Sequence, residues 1–231
     1  ALSEGPHTNC KISVTSSASG YTSDNLSVDN FTIDTTAPIL TPITLVPSLT
    51  NVNTPSYTFR SNEAGTITYG DCSSSTTAAY DADNNTITFN ALGDGQHATC
   101  TITVRDNAGN TRTLDVDPFT IDTTAPILNP VSAVPTPTDN STPSYTFFST
   151  EAGVITYSGG CGSSSPSTAT SGNNAVRLTQ SDNSTALSDD TYNCTIRVTD
   201  NASNTSTQSV NTFIIDTTAP TLSRVTAVST P

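Results

Sequence analysis

The stretch CTITVRDNAGN at residues 100–110 decides the fold, because it joins a strand pattern to a turn pattern. Cys100, Ile102 and Val104 occupy alternate positions, and threonine fills the places between them. Such period-two alternation is typical of a β-strand with one buried and one solvated face. The run Asp-Asn-Ala-Gly-Asn that follows contains the residue types that favour a tight turn. The stretch therefore predicts a half-buried strand that ends in a hairpin connection.

This pattern recurs along the chain, as CTIRVTDNASN at 194–204 and more loosely as CKISVTSSASG at 10–20. The hexapeptide IDTTAP also recurs, and its successive copies begin at Ile33, Ile121 and Ile215, which gives spacings of 88 and 94 residues. A period of about 90 residues is the size of a small β-sandwich and indicates a tandem array. We therefore predict the end of one repeat at 1–38, complete repeats at 39–126 and 127–220, and the first strand of a further repeat at 221–231.

The composition is that of a polar, extracellular β protein. Hydrophobic residues make up 33% of the chain, and Trp and Met are absent. The strict alternation of the apolar residues argues against disorder, which low hydrophobicity alone would permit. A formal net charge of −13 argues against binding of nucleic acid or anionic membranes and suits cation binding. No stretch is long and apolar enough for a signal peptide or a membrane span, so we expect no membrane contact by this segment and place any such part outside it.

Alternation elsewhere predicts the remaining strands of a repeat. Inward-facing rows joined by Gly, Asn and Asp turns specify two packed antiparallel sheets, each with one wet face. The predicted fold class is all-β, with tandem immunoglobulin-like β-sandwich domains arranged end to end. In the first complete repeat we predict strand A at 39–47, B at 55–60, C at 66–70, E at 86–91, F at 98–105 and G at 113–121, with a weak strand D within 73–84.

Four cysteines fit this layout. Cys72 follows strand C and Cys100 lies early in strand F, and in an immunoglobulin-like topology these strand ends are neighbours at one pole. Cys161 and Cys194 repeat the arrangement. We predict disulfides Cys72–Cys100 and Cys161–Cys194, each worth roughly 3–4 kcal/mol in the chain-entropy model, and hence an oxidising compartment. Buried free thiols remain the alternative, whereas metal binding by cysteine lacks the usual CxxC spacing.

Cys10 is the exception among the cysteines, because it is unpaired in this fragment. It occupies the strand F position of the first, partial repeat, so its partner is expected about 30 residues upstream by analogy with the later pairs. Residues 1–38 supply only strands F and G, and residues 221–231 supply only strand A. We therefore expect the chain to be an excerpt of a longer repetitive protein and not a self-complementing subunit.

Several short motifs resemble bacterial immunoglobulin-like (BIg) domains. They are IDTTAP at the repeat end, EAG after strand B, DG before strand F and DNAGN after it, and the resemblance covers essentially the whole chain. It implies a stalk or spacer role in the tandem arrays of surface adhesins and extracellular fibres, with neighbouring repeats as partners and calcium at the joints. The chain departs from the pattern at Ser16, where later repeats have Asp106 and Asp200, and a disulfide in every repeat is not general in such arrays.

The strand order brings acidic residues to the joint between repeats. The linker residue Asp34, Glu63 of the B–C loop and Asp106 of the F–G loop are expected to converge at one pole. Carboxylates and carbonyls are hard oxygen ligands that suit Ca²⁺ better than Mg²⁺, and gathered carboxylates repel one another without a cation. The candidate ligands are Asp34, Glu63, Asp106, Asn107 and Asn110 at the first joint, and Asp122, Glu151, Asp200, Asn201 and Asn204 at the second.

Turn chemistry alone is an equally open interpretation of these residues. Asp and Asn form Asx-turns and Gly accepts positive φ, so DNAGN is also an ordinary hairpin connection. Glu63 and Glu151 would then be solvated, and Asp34 would cap a strand end. The chain has no DxDxDG loop, which excludes an EF-hand.

We do not expect an enzyme. The chain has only two histidines, His7 and His97, which occupy equivalent places, and the next repeat has Tyr192 nearby. A position that takes His, His and Tyr predicts a packing or hydrogen-bonding role, akin to a tyrosine corner. The sequence has neither a GxSxG nucleophile motif nor a phosphate-binding glycine loop.

Two other functions remain open. The segments 72–85 and 161–174 differ most between repeats and would carry a glycan-binding or cell-wall-binding site, although Tyr80 is their sole aromatic residue. Threonine-rich outer faces would also permit copies of the chain to associate sideways into a filament.

N-glycosylation sequons are frequent, as expected by chance in a chain so rich in Asn, Ser and Thr. The candidate acceptors are Asn25, Asn30, Asn84, Asn140, Asn183, Asn193, Asn201 and Asn204.

Overall fold

The computed structural model describes residues 1–80, 83–163 and 165–223. Within these ranges the regular secondary structure consists of β-strands alone. Accordingly, the described residues contain no helix with the length and apolar character needed to cross a membrane. Contacts group the chain into two compact units, Ala1–Ser48 with Val52–Ile121, and Leu49–Asn51 with the residues from Asp122 onward. The repeat boundaries at 38, 126 and 220 remain a prediction from the sequence period.

The first unit begins with the partial repeat, whose strands are short. They are β1 (Gly5–His7), β2 (Lys11–Ile12), β3 (Leu26–Ser27) and β4 (Phe31–Ile33). β1 pairs with β4 and β2 pairs with β3, both antiparallel. Ile12 and Leu26 are largely exposed, since the strands that would cover them in a complete sandwich do not belong to residues 1–38.

The complete repeat of the first unit forms two sheets. The strands of residues 40–121 are β5 (Leu40–Thr44), β6 (Leu49–Thr50), β7 (Ser56–Ser61), β8 (Gly65–Tyr69), β9 (Ala78–Ala79), β10 (Asn84–Thr88), β11 (Gly95–His97), β12 (Thr101–Asp106), β13 (Thr111–Asp115) and β14 (Phe119–Ile121). One sheet has the order β10-β7-β5 and the other has the order β13-β12-β8-β9, while β11 pairs with β14.

Alternation of apolar residues builds the core between these sheets. Tyr57 and Phe59 of β7 point inward together with Ile102 and Val104 of β12, and all four are essentially buried. The intervening threonines face solvent, where Thr58 pairs with Thr86 and Thr103 pairs with Thr113 through their hydroxyls. The two-residue period thus decides which side chains exclude water, as for any half-buried sheet.

Four predicted strands differ from those observed by more than one residue. Strand E was expected at 86–91, but it is observed as β10, Asn84–Thr88. Strand A ends at Thr44 and not at residue 47, with a register shift between Pro42 and Thr44. Strand F was expected at 98–105, but it begins at Thr101, and residues 95–97 form the separate strand β11. Strand G was expected as one strand at 113–121, but it is two, β13 and β14, separated by a segment that contains Pro118. Proline lacks an N–H donor and so interrupts a ladder.

The second unit repeats this architecture. Its strands are β15 (Leu128–Ser132), β16 (Ser144–Ser149), β17 (Gly153–Ser158), β18 (Cys161–Ser163), β19 (Thr168–Ala169), β20 (Gly172–Gln180), β21 (Asp190–Tyr192), β22 (Thr195–Thr199), β23 (Thr205–Ser209) and β24 (Phe213–Ile215). The sheets have the orders β15-β16-β20-β18 and β19-β17-β22-β23, and β21 pairs with β24. The core positions of the first unit are taken here by Tyr145, Phe147, Ile196 and Val198.

The longer period of the second repeat has a local cause. β20 has 9 residues, whereas its counterpart β10 has 5, and the extension pairs with β18. A turn at 181–185 follows, in which Asp182 accepts hydrogen bonds from the amides of Ser184 and Thr185. Hydrogen bonds from Thr185 and Ser184 lower the pKa of Asp182 to about 2.

Candidate cation site at the linkers

Three acidic residues from distant parts of the first unit meet at one point. Asp34 follows β4, Glu63 lies between β7 and β8, and Asp106 ends β12. One carboxylate oxygen of each lies within 4.8 Å of the others. Asp34 and Glu63 are half-buried and Asp106 is buried. We call this group the first acidic cluster, and it contains the three carboxylates that the sequence predicted to converge there.

The second unit contains an equivalent group, the second acidic cluster, formed by Asp122, Glu151 and Asp200. Its carboxylate oxygens also lie within 4.8 Å of one another, with the same pattern of burial. Residues 122–126 and 34–38 are equivalent linkers, and Glu151 and Asp200 follow the strands that correspond to β7 and β12. The same set of side chains is therefore assembled twice.

Glycine in the EAG motif lets the acidic loops approach each other. A Cβ at Gly65 would lie 2.3 Å from the carbonyl oxygen of Arg105, and one at Gly153 would lie 2.4 Å from that of Thr199. Any side chain at either position would push β8 or β17 away from its neighbour. The motif thus places the glutamate, two residues before each glycine, next to the aspartate that ends the adjacent strand.

Hydrogen bonds from its own turn hold Asp106 in place. Its Oδ1 accepts from the amides of Gly109 at 2.6 Å and Asn110 at 2.9 Å, and its Oδ2 accepts from the Asn110 side chain at 2.9 Å. Burial opposes ionisation of this carboxyl, but these hydrogen bonds together outweigh it and lower the pKa of Asp106. The residue is therefore an anion across the neutral range.

Asn110 and Asn204 connect each acidic turn to the linker. The Asn110 amide nitrogen donates to the main-chain oxygen of Asp34 at 3.1 Å, and that of Asn204 donates to the main-chain oxygen of Asp122 at 2.8 Å. The same nitrogen of Asn204 also donates to Asp200 Oδ2 at 2.9 Å. Both side chains thus act as donors that tie the turn to the chain. Asn107 and Asn201 are exposed in the same turns.

The linker aspartates also take part in local turns. Oδ1 of Asp34 accepts the amide of Thr36 at 3.0 Å, and Oδ1 of Asp122 accepts the amide of Thr124 at 3.1 Å. These are Asx-turns of the kind that the alternative interpretation predicts. Turn chemistry and carboxylate convergence therefore coexist in the same residues.

The two acidic clusters differ in their electrostatic surroundings. Burial raises the pKa of Glu151, and the negative charges of Asp122 and Asp200 raise it further. Beside the first cluster, a guanidinium nitrogen of Arg105 lies 3.1 Å from the position that a Cβ on Gly109 would occupy. The positively charged side chain of Arg105 therefore lies against the turn that follows Asp106. Thr199 occupies the equivalent position in the second unit. Arg105 was not among the residues predicted for this site, although its place directly before DNAGN was the available signal.

The position shared by His7, His97 and Tyr192 is a packing site. Each ring stacks on a phenylalanine of the paired strand, with centroid separations of 5.2, 5.3 and 5.5 Å. Each also bonds through its polar atom to a carbonyl four residues earlier in the chain, as Tyr192 does when it donates to Ser188 at 3.1 Å. Packing and a backbone hydrogen bond thus occupy all three rings, as the His, His, Tyr pattern predicts.

The predicted cysteine pairs are present. Cys72 is bonded to Cys100 with a Cα–Cα distance of 5.0 Å, and Cys161 is bonded to Cys194 at 5.6 Å. All four residues are buried within the two cores. Cys10 is free and half-buried.

The candidate glycosylation sites are mostly exposed. Asn204 is the exception, because it is half-buried and its amide binds Asp122 and Asp200. The side chain of Asn183 accepts a hydrogen bond from the Ser163 amide at 3.1 Å. The exposed acceptors are Asn25, Asn30, Asn84, Asn140, Asn183, Asn193 and Asn201, and their modification stays a prediction.

Two antiparallel sheets packed face to face over one core are the architecture of immunoglobulin-like β-sandwich domains. The chain matches the family described as bacterial Ig-like domain twice in tandem, at residues 42–123 and at residues 132–217, and it belongs to that family. A comparison with the curated proteins found no match. The resemblance that the motifs indicated is confirmed, as is the all-β tandem fold.

Proposed function

We propose that this chain is a spacer segment of a surface adhesin or extracellular fibre, in which Ca²⁺ binds at the linkers between repeats. Tandem Ig-like domains with a disulfide in each complete repeat fit a structural segment in an oxidising, extracellular setting. The observation that carries the proposal is the acidic cluster, which the chain builds twice from a linker aspartate, a loop glutamate and a turn aspartate.

Electrostatics supports a cation at these clusters. Three carboxylates within 4.8 Å of one another repel, and the raised pKa of Glu151 expresses that repulsion together with burial. Ca²⁺ accepts six to eight oxygen ligands in flexible geometry, which suits carboxylates supplied by three separate segments. Asp122, Glu151 and Asp200 would hold the ion in the second cluster, as Asp34, Glu63 and Asp106 would in the first.

The decisive measurement is calorimetric titration of Ca²⁺ into the chain. We expect saturable binding heat in the wild type, and weaker binding at the second cluster after Glu151→Gln, which removes one ligand charge. Bound Ca²⁺ should also raise the unfolding free energy by about 2.7 kcal/mol at a hundredfold excess over Kd. Asp139→Asn is the matched control, because Asp139 is an exposed acid of the same repeat outside the cluster. Absence of Ca²⁺ heat in the wild type would overturn the proposal.

A cavity beside Cys161 is the one observation that favours glycan binding. Its volume is about 530 Å³, and Ser158, Ser163, Ser181 and Asn183 contribute to its lining. The predicted variable segment 161–174 reaches this cavity, whereas the exposed Tyr80 lies in the other variable segment. Because sugar sites commonly use an exposed aromatic ring, and Tyr157 is half-buried here, the spacer function is better supported. Binding on a glycan array that Ser163→Ala abolishes would reverse this preference.

A further inference from the structure

We infer that the two threonines of each linker hold it to the preceding repeat by hydrogen bonds to one acidic residue of that repeat, without a cation. We call this set of hydrogen bonds the latch. The latch uses none of the three carboxylates of the acidic clusters, so it goes beyond the proposed calcium site. It also gives a role to the two threonines of IDTTAP, which the cation site does not use. We call Glu4 and Asp189 the latch acids.

The latch acid of the partial repeat is Glu4. Its Oε1 accepts the Thr35 amide at 3.4 Å and also the Thr36 hydroxyl. Its Oε2 accepts the Thr35 hydroxyl at 3.1 Å. All three bonds span about thirty residues of chain, from the residue before β1 to the linker after β4. They are therefore tertiary contacts and not local turn contacts.

The latch acid of the second unit is Asp189. Its Oδ1 accepts the amide of Thr217 at 2.9 Å and the hydroxyl of the same residue at 2.7 Å, while its Oδ2 accepts the hydroxyl of Thr218 at 2.8 Å. A shorter acid thus makes the same three contacts as Glu4. The same three donors, one amide and two hydroxyls, therefore bind a carboxylate in both copies, although they divide differently between its two oxygens.

The latch sits where the chain leaves the sheet. Glu4 directly precedes Gly5, which pairs with Ile33, the last residue of β4. Asp189 directly precedes Asp190, which pairs with Ile215, the last residue of β24. In both cases the carboxylate continues the strand pairing with side-chain contacts beyond the point where backbone pairing stops. The hydrogen bonds lower the pKa of both latch acids, which keeps them charged in mild acid.

The first linker is held from its other side as well. Asn110 donates to the main-chain oxygen of Asp34 at 3.1 Å, and Asn62 accepts the amide of Ile39 at 2.5 Å. The threonines therefore attach to the repeat that ends, while Asp34 and Ile39 attach to the repeat that begins. These contacts use hydrogen bonds alone, so each end of the linker is held to its own repeat without a cation.

The test is amide hydrogen exchange of the whole chain by NMR, in Ca²⁺ and in EDTA. Asp189→Asn should accelerate exchange of the Thr217 amide about tenfold or more, since a hydrogen bond to a charged acceptor is stronger than one to a neutral acceptor. Glu4→Gln should do the same at Thr35. Asp189→Glu and Glu4→Asp should retain most of the protection, because each acid performs this role in one of the two copies.

Two outcomes would overturn the latch. One is unchanged exchange at Thr217 in Asp189→Asn while the core amides of Ile196 and Val198 remain protected. The other is wild-type exchange at Thr217 that rises in EDTA to the level of that variant, which would make the contact cation-dependent. Thr217→Val with Thr218→Val removes the hydroxyl donors without a change of charge and should reproduce the effect. Failure of calcium binding alone would leave these results intact, so the two proposals are tested separately.

Discussion

The hydroxyls of Tyr57 and Tyr145 are buried at equivalent places on strands β7 and β16. Neither hydroxyl has a hydrogen-bond partner among the described residues. Burial raises the pKa of both side chains, with a further contribution from Asp117 at Tyr57. An unsatisfied buried hydroxyl costs about 1–3 kcal/mol, so these rings stabilise the cores by their apolar area and not by their polar atom.

We predict that Tyr57→Phe and Tyr145→Phe each raise the unfolding free energy by about 1 kcal/mol, because the change removes a buried polar atom and keeps the ring. Urea denaturation measures this quantity. Tyr69→Phe is the matched control, since the Tyr69 hydroxyl donates to the Thr76 carbonyl at 2.6 Å, and this change should lower stability by a similar amount. A loss of stability in all three variants would show that Tyr57 and Tyr145 have partners in solution.

At the scale of the element, the close approach of β8 to β12 depends on a glycine. We predict that Gly153→Ala and Gly65→Ala lower the unfolding free energy by about 1–3 kcal/mol, because the new methyl group meets a backbone carbonyl. Gly93→Ala is the control, since a Cβ there meets nothing within 4 Å. Thermal unfolding compares the three variants, and equal midpoints would contradict the steric argument.

The strands themselves could be predicted where alternation is strict, and less well where a strand changes partner. Tyr57, Phe59, Ile102 and Val104 are buried as their period indicates, because the pleat alone decides their direction. In the second unit the counterpart of strand A, β15, likewise ends early, at Ser132, and the chain then crosses to β24, where the Thr138 amide donates to the Ile214 carbonyl at 2.9 Å. Such a crossing depends on which sheet edge is free, which the apolar pattern does not encode.

The candidate site was predictable in its carboxylates and not in its hydrogen bonds. Asp34, Glu63 and Asp106 follow from strand order, since loops at one pole must meet. The direction of the Asn110 amide and the pairing of Glu4 with Thr35 depend on side-chain rotamers, which strand order does not determine. The two threonines of IDTTAP therefore read as extended linker residues in the sequence and as hydrogen-bond donors in the structure.

At the scale of the whole molecule, acidic residues outnumber basic ones by 20 to 7, and part of that excess is gathered at the linkers. Repeat arrays are stabilised by the sum of their repeats and of the junctions between neighbours. A ligand that binds only at junctions should therefore change the shape of the array more than the fold of its repeats.

The proposed Ca²⁺ site predicts that EDTA reduces the largest dimension of the chain in small-angle X-ray scattering, because removal of Ca²⁺ would restore repulsion within each acidic cluster and loosen the joint. Circular dichroism recorded in parallel should show the strands unchanged. The double variant Glu63→Gln with Glu151→Gln should show the smaller dimension even in Ca²⁺. A scattering profile that is the same with Ca²⁺ and with EDTA would contradict the stiffening role.

The disulfides also have a consequence under tension. Cys72 and Cys100 are 28 residues apart in sequence, and Cys161 and Cys194 are 33 apart. Each disulfide keeps the chain between its two cysteines in a closed loop when a repeat is unfolded by a force on its ends. At roughly 3.5 Å per extended residue, each disulfide shortens the unfolded, extended repeat by on the order of 100 Å. A tether built from such repeats would yield in short steps, and reduction of its cystines would make every step longer.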